Sequence, residues 1–93
     1  MKALFIPLKR CWFEQFKNGH KNFEYRGYGR QWTEKHCVVG RSVTLALGYG
    51  KTRLHGKIES FQIIQIKLSP TEVQEIYQGR YQYIAKIGIT LCI

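Results

Sequence analysis

Tyr81-Gln82-Tyr83-Ile84-Ala85-Lys86-Ile87-Gly88-Ile89-Thr90-Leu91-Cys92-Ile93 places an apolar residue at every odd position. A period of two is the signature of a strand with one face committed to a core. A strand this long needs partners, and the sequence on its N-terminal side supplies them. Leu54 to Leu68 reads as a second long extended segment. Its apolar parity switches between Ile58 and Phe61, and again between Ile63 and Ile64. Switches of this kind predict bulges or a strongly bent barrel strand. Val43, Leu45 and Leu47 alternate with Ser42, Thr44 and Ala46 as a half-buried strand, and Gly48-Tyr49-Gly50-Lys51 reads as the turn between the two.

Two short helices complete the pattern. Ser69-Pro70-Thr71-Glu72 opens one, with Ser as N-cap, Pro in the first turn and Glu three residues past the cap; Gly79 closes it. Lys9 to Asn18 carries Trp12, Phe13 and Phe16 at helical spacing, with Gly19 placed to end it, although a capping side chain is missing at its start. Residues 2–8 are apolar and read as a first strand ended by Pro7; Asn22 to Arg26 reads as extended, and a glycine-rich basic loop follows from Gly27 to Gly40. The expected order is β-α-β-loop-β-β-α-β: an α+β, mainly β domain over residues 1–93. So little helix favours a small closed or partly open barrel over a layered parallel sheet, which needs helical crossovers.

Ninety-three residues with 44% hydrophobic and 14% aromatic content suit one globular domain. Disorder, collagen and coiled coil are excluded by composition. The opening Met1-Lys2-Ala3-Leu4-Phe5-Ile6-Pro7 is too short in its apolar run for a secretory signal, and no run approaches the roughly 20 residues that span a bilayer. The expectation is a soluble, cytoplasmic monomer without a membrane partner. Three cysteines (Cys11, Cys37, Cys92) without paired spacing fit a reducing compartment and read as small core residues. His20, His36 and His55 show no ligand spacing with them, so no metal is expected, and no fingerprint calls for a cofactor.

Charge carries the functional signal. Lys and Arg total 15 against 6 acids, all Glu, for a net charge of +9. Residues 1–57 hold all of that excess; residues 58–93 balance to zero. This asymmetry predicts a basic face for a polyanion, RNA or a nucleotide or nucleoside, with DNA as an alternative. The plain alternative is a basic surface that serves solubility alone.

Gly19-His20-Lys21-Asn22-Phe23-Glu24-Tyr25-Arg26 has the pattern G-x-K-x-x-E-x-R. Gly19 lets the chain leave the helix through a left-handed conformation. Glu24 and Arg26 share one strand face, with Lys21 at its mouth; Phe23 and Tyr25 take the other face and are expected to pack inward. A carboxylate beside a guanidinium and an amine can accept and donate hydrogen bonds together, which suits a base edge with a phosphate or sugar. On the following loop Tyr28, Arg30, Trp32 and Lys35 interleave rings with cations, as single-stranded RNA binders do. Trp32 is equally a core candidate.

The chain resembles the ASCH (activating signal cointegrator homology) domain, whose signature is this motif, complete here at Gly19, Lys21, Glu24 and Arg26. The resemblance covers essentially the whole chain. It implies a PUA-like β-barrel with Lys21, Glu24 and Arg26 in a cleft between helix and barrel, Gly19 as backbone hinge, and RNA or nucleotide binding. Bacterial proteins of similar fold are amidohydrolases acting on acetylated cytidine through the motif lysine, a threonine three residues later and a later glutamate. Here Glu24 stands where that threonine would be. Ribonuclease activity is also reported in the family. Binding module and small hydrolase, with Lys21 and Glu24 as its catalytic candidates, both stay open on the sequence.

Overall fold

The computed structural model describes residues 1–65 and 83–92. In chain order it contains β1 (Leu4–Leu8), α1 (Arg10–Lys17), β2 (Phe23–Gly27), β3 (Ser42–Leu47), β4 (Arg53–Gln65) and β5 (Tyr83–Leu91). The helix expected from Ser69 lies outside the described residues. No helix among those described is long and apolar enough to cross a membrane.

All five strands form one curled, half-barrel sheet in the order β1-β3-β4-β5-β2. Alternation holds in the middle of β5, where Ala85, Ile87 and Ile89 are buried; Tyr83, of the same parity, is exposed, and Tyr81 and Ile93 lie outside the described residues. The three buried residues meet Leu4, Ile6 and Leu8 of β1, Val43 and Leu45 of β3, and Ile58 of β4 on the concave side, where Phe13 and Phe16 of α1 fill the hollow. The pairing of β4 with β5 slips between Ile58 and Ser60, so Ile58 lies opposite Ile89 while Phe61 lies opposite Ile87. One extra residue there converts an even inward parity into an odd one. The second expected switch has no counterpart, since the register runs unbroken from Ser60 to Gln65 and both Ile63 and Ile64 are exposed.

Pro7 does not end β1 but lies within it, opposite Ala46. β1 is an edge strand, and proline is tolerated where its missing N–H faces away from the ladder. β1 pairs with β3 in parallel, although α1 is the one helix among the described residues; the crossover is made by α1, β2 and the loop to Gly40 together. The two edges of the sheet, β1 and β2, are thus the strands that α1 joins.

α1 ends in a Schellman motif. Gly19 adopts φ 78°, its N–H donates to the Phe16 carbonyl, and the His20 N–H reaches back to Gln15. This turn reverses the chain and starts β2 beside the helix it has just left. Of the three aromatics on α1 only Phe13 and Phe16 are buried; Trp12 is 44% exposed. Among the cysteines only Cys37 is buried, so the core reading fails for Cys11 and Cys92, both exposed. Cys11 sits in the first turn of α1 away from Phe13 and Phe16, and Cys92 follows the end of β5, past the last inward position.

Candidate functional site

The register of β2 against β5 fixes which way the motif faces. Glu24 lies opposite Ile87 and Arg26 opposite Ala85, both core positions, so the charged pair points to the concave side. Phe23 and Tyr25 take the outer face, where the Lys86 ammonium sits 4.2 Å from the Phe23 ring centre and Tyr25 is exposed. The expectation that these rings pack inward is reversed. The glutamate carboxylate is nearly buried, and it tolerates this position because its charge is met. Arg26 Nε donates to Glu24 Oε2 at 2.9 Å, and Arg26 Nη2 lies 2.7 Å from the same oxygen. Lys21 Nζ stands 3.7 Å from Oε1.

The same guanidinium bridges the two edge strands of the half-barrel, a junction termed the seam. Arg26 Nη2 donates to the Pro7 carbonyl at 2.7 Å, linking edge strand β2 to edge strand β1, which share no ladder. The N and O of one strand residue point to the same side, so the missing Pro7 N–H also faces this seam and costs no sheet hydrogen bond. Trp32 packs against Arg26, with its ring centre 4.8 Å from the guanidinium carbon. Arg26 Nη1 has no hydrogen-bond partner among the described residues.

Lys21 is held by longer contacts. The reversal at Gly19 brings its ammonium over three rings, 5.1 Å from Trp12, 5.5 Å from Phe16 and 5.2 Å from Tyr25. Ring faces attract a cation, and the Glu24 carboxylate adds to that attraction.

Two adjoining cavities flank this pair. One of about 310 Å³ is lined by Pro7, Leu8, Lys9, Trp12, Glu24 and Arg26. The other, about 330 Å³, shares Pro7, Leu8, Lys9 and Arg26 and adds Gly48 and Tyr49. Together they make one groove over the seam. Lys9 and Arg26 lie along its middle, Trp12 at one end and Tyr49, 85% exposed, at the other. Sequence reading missed Lys9, Trp12 and Tyr49 as site residues. They come from the start of α1 and the β3–β4 turn; the signal available was the exposed position of a tyrosine between two glycines at Gly48-Tyr49-Gly50.

The loop residues fare differently. Tyr28, Arg30, Trp32 and Lys35 are not among the groove's lining residues. Trp32 is partly buried against the core. Tyr28 donates its hydroxyl to Glu34 Oε2 at 2.5 Å. That bond raises the Tyr28 pKa above its ordinary value, with slight burial and the Glu34 charge acting in the same direction. It lowers the Glu34 pKa, helped by a backbone hydrogen bond. Arg30, at the positive φ of 49°, and Lys35 are exposed on the loop. Among the described residues no three His, Cys, Asp or Glu side chains gather as metal ligands would. No protein-family model matches the chain, and no curated protein is similar enough to it to count as a relative.

Proposed function

We propose that the protein is a cytoplasmic RNA- or nucleotide-binding domain of the ASCH type, with its ligand in the groove over the β1–β2 seam. The observation that carries this reading is the groove's layout: an exposed ring at each end, two cations between them, and a nearly buried carboxylate at the floor. Trp12 and Tyr49 offer faces on which bases stack, at about 1–3 kcal/mol per base. Lys9 meets a phosphate, Arg26 Nη1 donates to a base or sugar oxygen, and Glu24 Oε1, the oxygen Arg26 leaves free, accepts from a base amino group. The complete G-x-K-x-x-E-x-R motif supports the same assignment, with Lys21 as the brace that holds Trp12 and Glu24 in place. The net charge of +9 favours any polyanion.

The hydrolase reading takes second place. A nucleophilic lysine must present a free amine, and Lys21 is clamped by a carboxylate and three rings. The test is binding of a labelled single-stranded RNA by fluorescence anisotropy across a salt series, run beside a turnover assay with acetylated cytidine. Affinity should fall steeply with salt, and Trp12→Ala should weaken it roughly 5- to 150-fold, the worth of one stacked base. Salt-insensitive binding, or full affinity in Trp12→Ala, refutes the groove. Turnover lost in Lys21→Ala establishes the hydrolase instead.

A further inference from the structure

Tyr49 belongs to two surfaces at once. It closes one end of the groove, and its ring also stacks on Phe5, with centroids 6.1 Å apart and planes inclined by 29°. Phe5 faces the outer, convex side of the sheet, in a cross-strand row with Thr44 and His55. The Arg53 guanidinium carbon lies 4.9 Å from the Phe5 ring centre, held there by a 3.0 Å bond from Nε to the Gly50 carbonyl. Beyond Arg53 the same face of β4 continues through His55 and Lys57, all three exposed. The pleat sets such alternate side chains roughly 7 Å apart. Thr44, Ser42 and Thr90 flank the row from the neighbouring strands. Glu59, the only carboxylate on β4, comes after Lys57 in the bulge, where it lines a separate cavity with Lys21 and Asn22.

We propose that a single-stranded nucleic acid several nucleotides long leaves the groove over Tyr49 and Phe5 and runs along the outer face of β4, its phosphates following Arg53, His55 and Lys57. This rests on the groove reading above and narrows its ligand from a free nucleotide to an extended strand. A mononucleotide needs only the concave groove. The outer row has no concavity, so it suits a ligand whose negative charge repeats along a line, and the pitch of the row is close to that of an extended sugar–phosphate chain. The stacked Phe5–Tyr49 pair supplies a ring platform at the point where the strand would bend from one surface to the other. An acidic peptide would match the charge but would leave that platform unused.

The test compares labelled uridine dinucleotide and uridine octanucleotide by anisotropy. The octanucleotide should bind more tightly. In Arg53→Gln/Lys57→Gln its affinity should drop roughly tenfold, and its log–log salt slope should shallow by about 1.4, two phosphates at about 0.7 each, with dinucleotide binding unchanged. Lys57→Glu, a substitution at an exposed position without a described partner, should weaken the octanucleotide alone and serves if the Arg53 change disturbs the turn. Equal affinity for the two lengths, or wild-type octanucleotide binding in both variants, overturns the outer path; the groove reading then still stands if Trp12→Ala weakens the dinucleotide. Trp12→Ala without effect on either length overturns the groove itself, and the path with it. Displacement of the octanucleotide by polyglutamate at equal charge concentration overturns the nucleic-acid assignment of the outer face.

Discussion

Replacing Arg26 with methionine keeps much of the apolar stem of the side chain and removes three polar contacts together. Glu24 would lose both of its short contacts to the guanidinium, and Pro7 would lose the donor that ties β1 to β2. The Glu24 side chain is 8% exposed, so the orphaned carboxylate cannot recover its hydration without opening the seam. Breaking a buried ion pair from one side costs about 3–5 kcal/mol. Two features here reduce that. The Arg26 side chain is 25% exposed, so part of the pair's attraction is already screened, and Lys21 at 3.7 Å stays as a partial counter-charge. The expected loss is therefore about 2–3 kcal/mol, with Pro7 contributing a share of it. For a domain of this size that lowers Tm by about 10–20 °C. Thermal and urea unfolding of Arg26→Met, Glu24→Gln and the double variant form the assay. Removing both charges should cost less than the sum of the single changes, leaving a coupling of at least about 1 kcal/mol. A Tm within about 2 °C of wild type for Arg26→Met, or zero coupling, refutes the seam clasp and returns Arg26 to ligand binding alone. The result also governs how loss of RNA binding in an Arg26 variant is read, because an opened seam and a lost contact give the same anisotropy trace.

Gly56→Ala should destabilise by about 1–3 kcal/mol in a urea melt, because the new Cβ would stand 2.5 Å from the Thr90 backbone carbonyl oxygen, and neither paired strand can shift freely. Native protein should expose two fast thiols to a disulfide reagent, Cys11 and Cys92, with Cys37 reacting only on unfolding; three fast thiols would contradict its burial. Burial pushes the Cys37 thiol above its usual value, against the opposing pull of Arg41 and a Thr33 backbone contact. The unfolded thiol ionises from about pH 8.5 while the folded one stays protonated, so stability should fall as pH rises above that point, and less so in Cys37→Ser. For the exposed Tyr28–Glu34 pair, NMR titration should find Glu34 ionising below the ordinary carboxylate value and Tyr28 above the ordinary phenol value, with Glu34→Gln returning Tyr28 toward that value. The stability tied to Glu34 is present above the unfolded carboxylate pKa and lost as pH falls through the folded one.

The alternation around Ile87, the parity change between Ile58 and Phe61, and the left-handed exit at Gly19 were legible in the sequence because each is local. A pleat repeats every two residues, a bulge inserts one, and a glycine relieves one steric clash. What the residues could not say is which face of β2 would turn inward. The pattern reading expects Phe23 and Tyr25 to pack inward, because one charge alone is costly to bury, while the shared face and the family resemblance set Glu24 and Arg26 in a cleft. The rings turn outward because the pair is buried together, and because the carbonyl that completes its hydrogen bonding belongs to Pro7, nineteen residues away.

The groove follows the same division. Its basic character was set by sequence, since twelve of the bases precede Ile58. Its membership was set by tertiary structure. Lys9 and Trp12 begin the helix, Glu24 and Arg26 lie on one edge strand, and Tyr49 tips a hairpin, so no spacing along the chain relates them. They meet because the sheet curls into a half-barrel, and the Arg26 side chain reaches between two edge strands that share no backbone ladder.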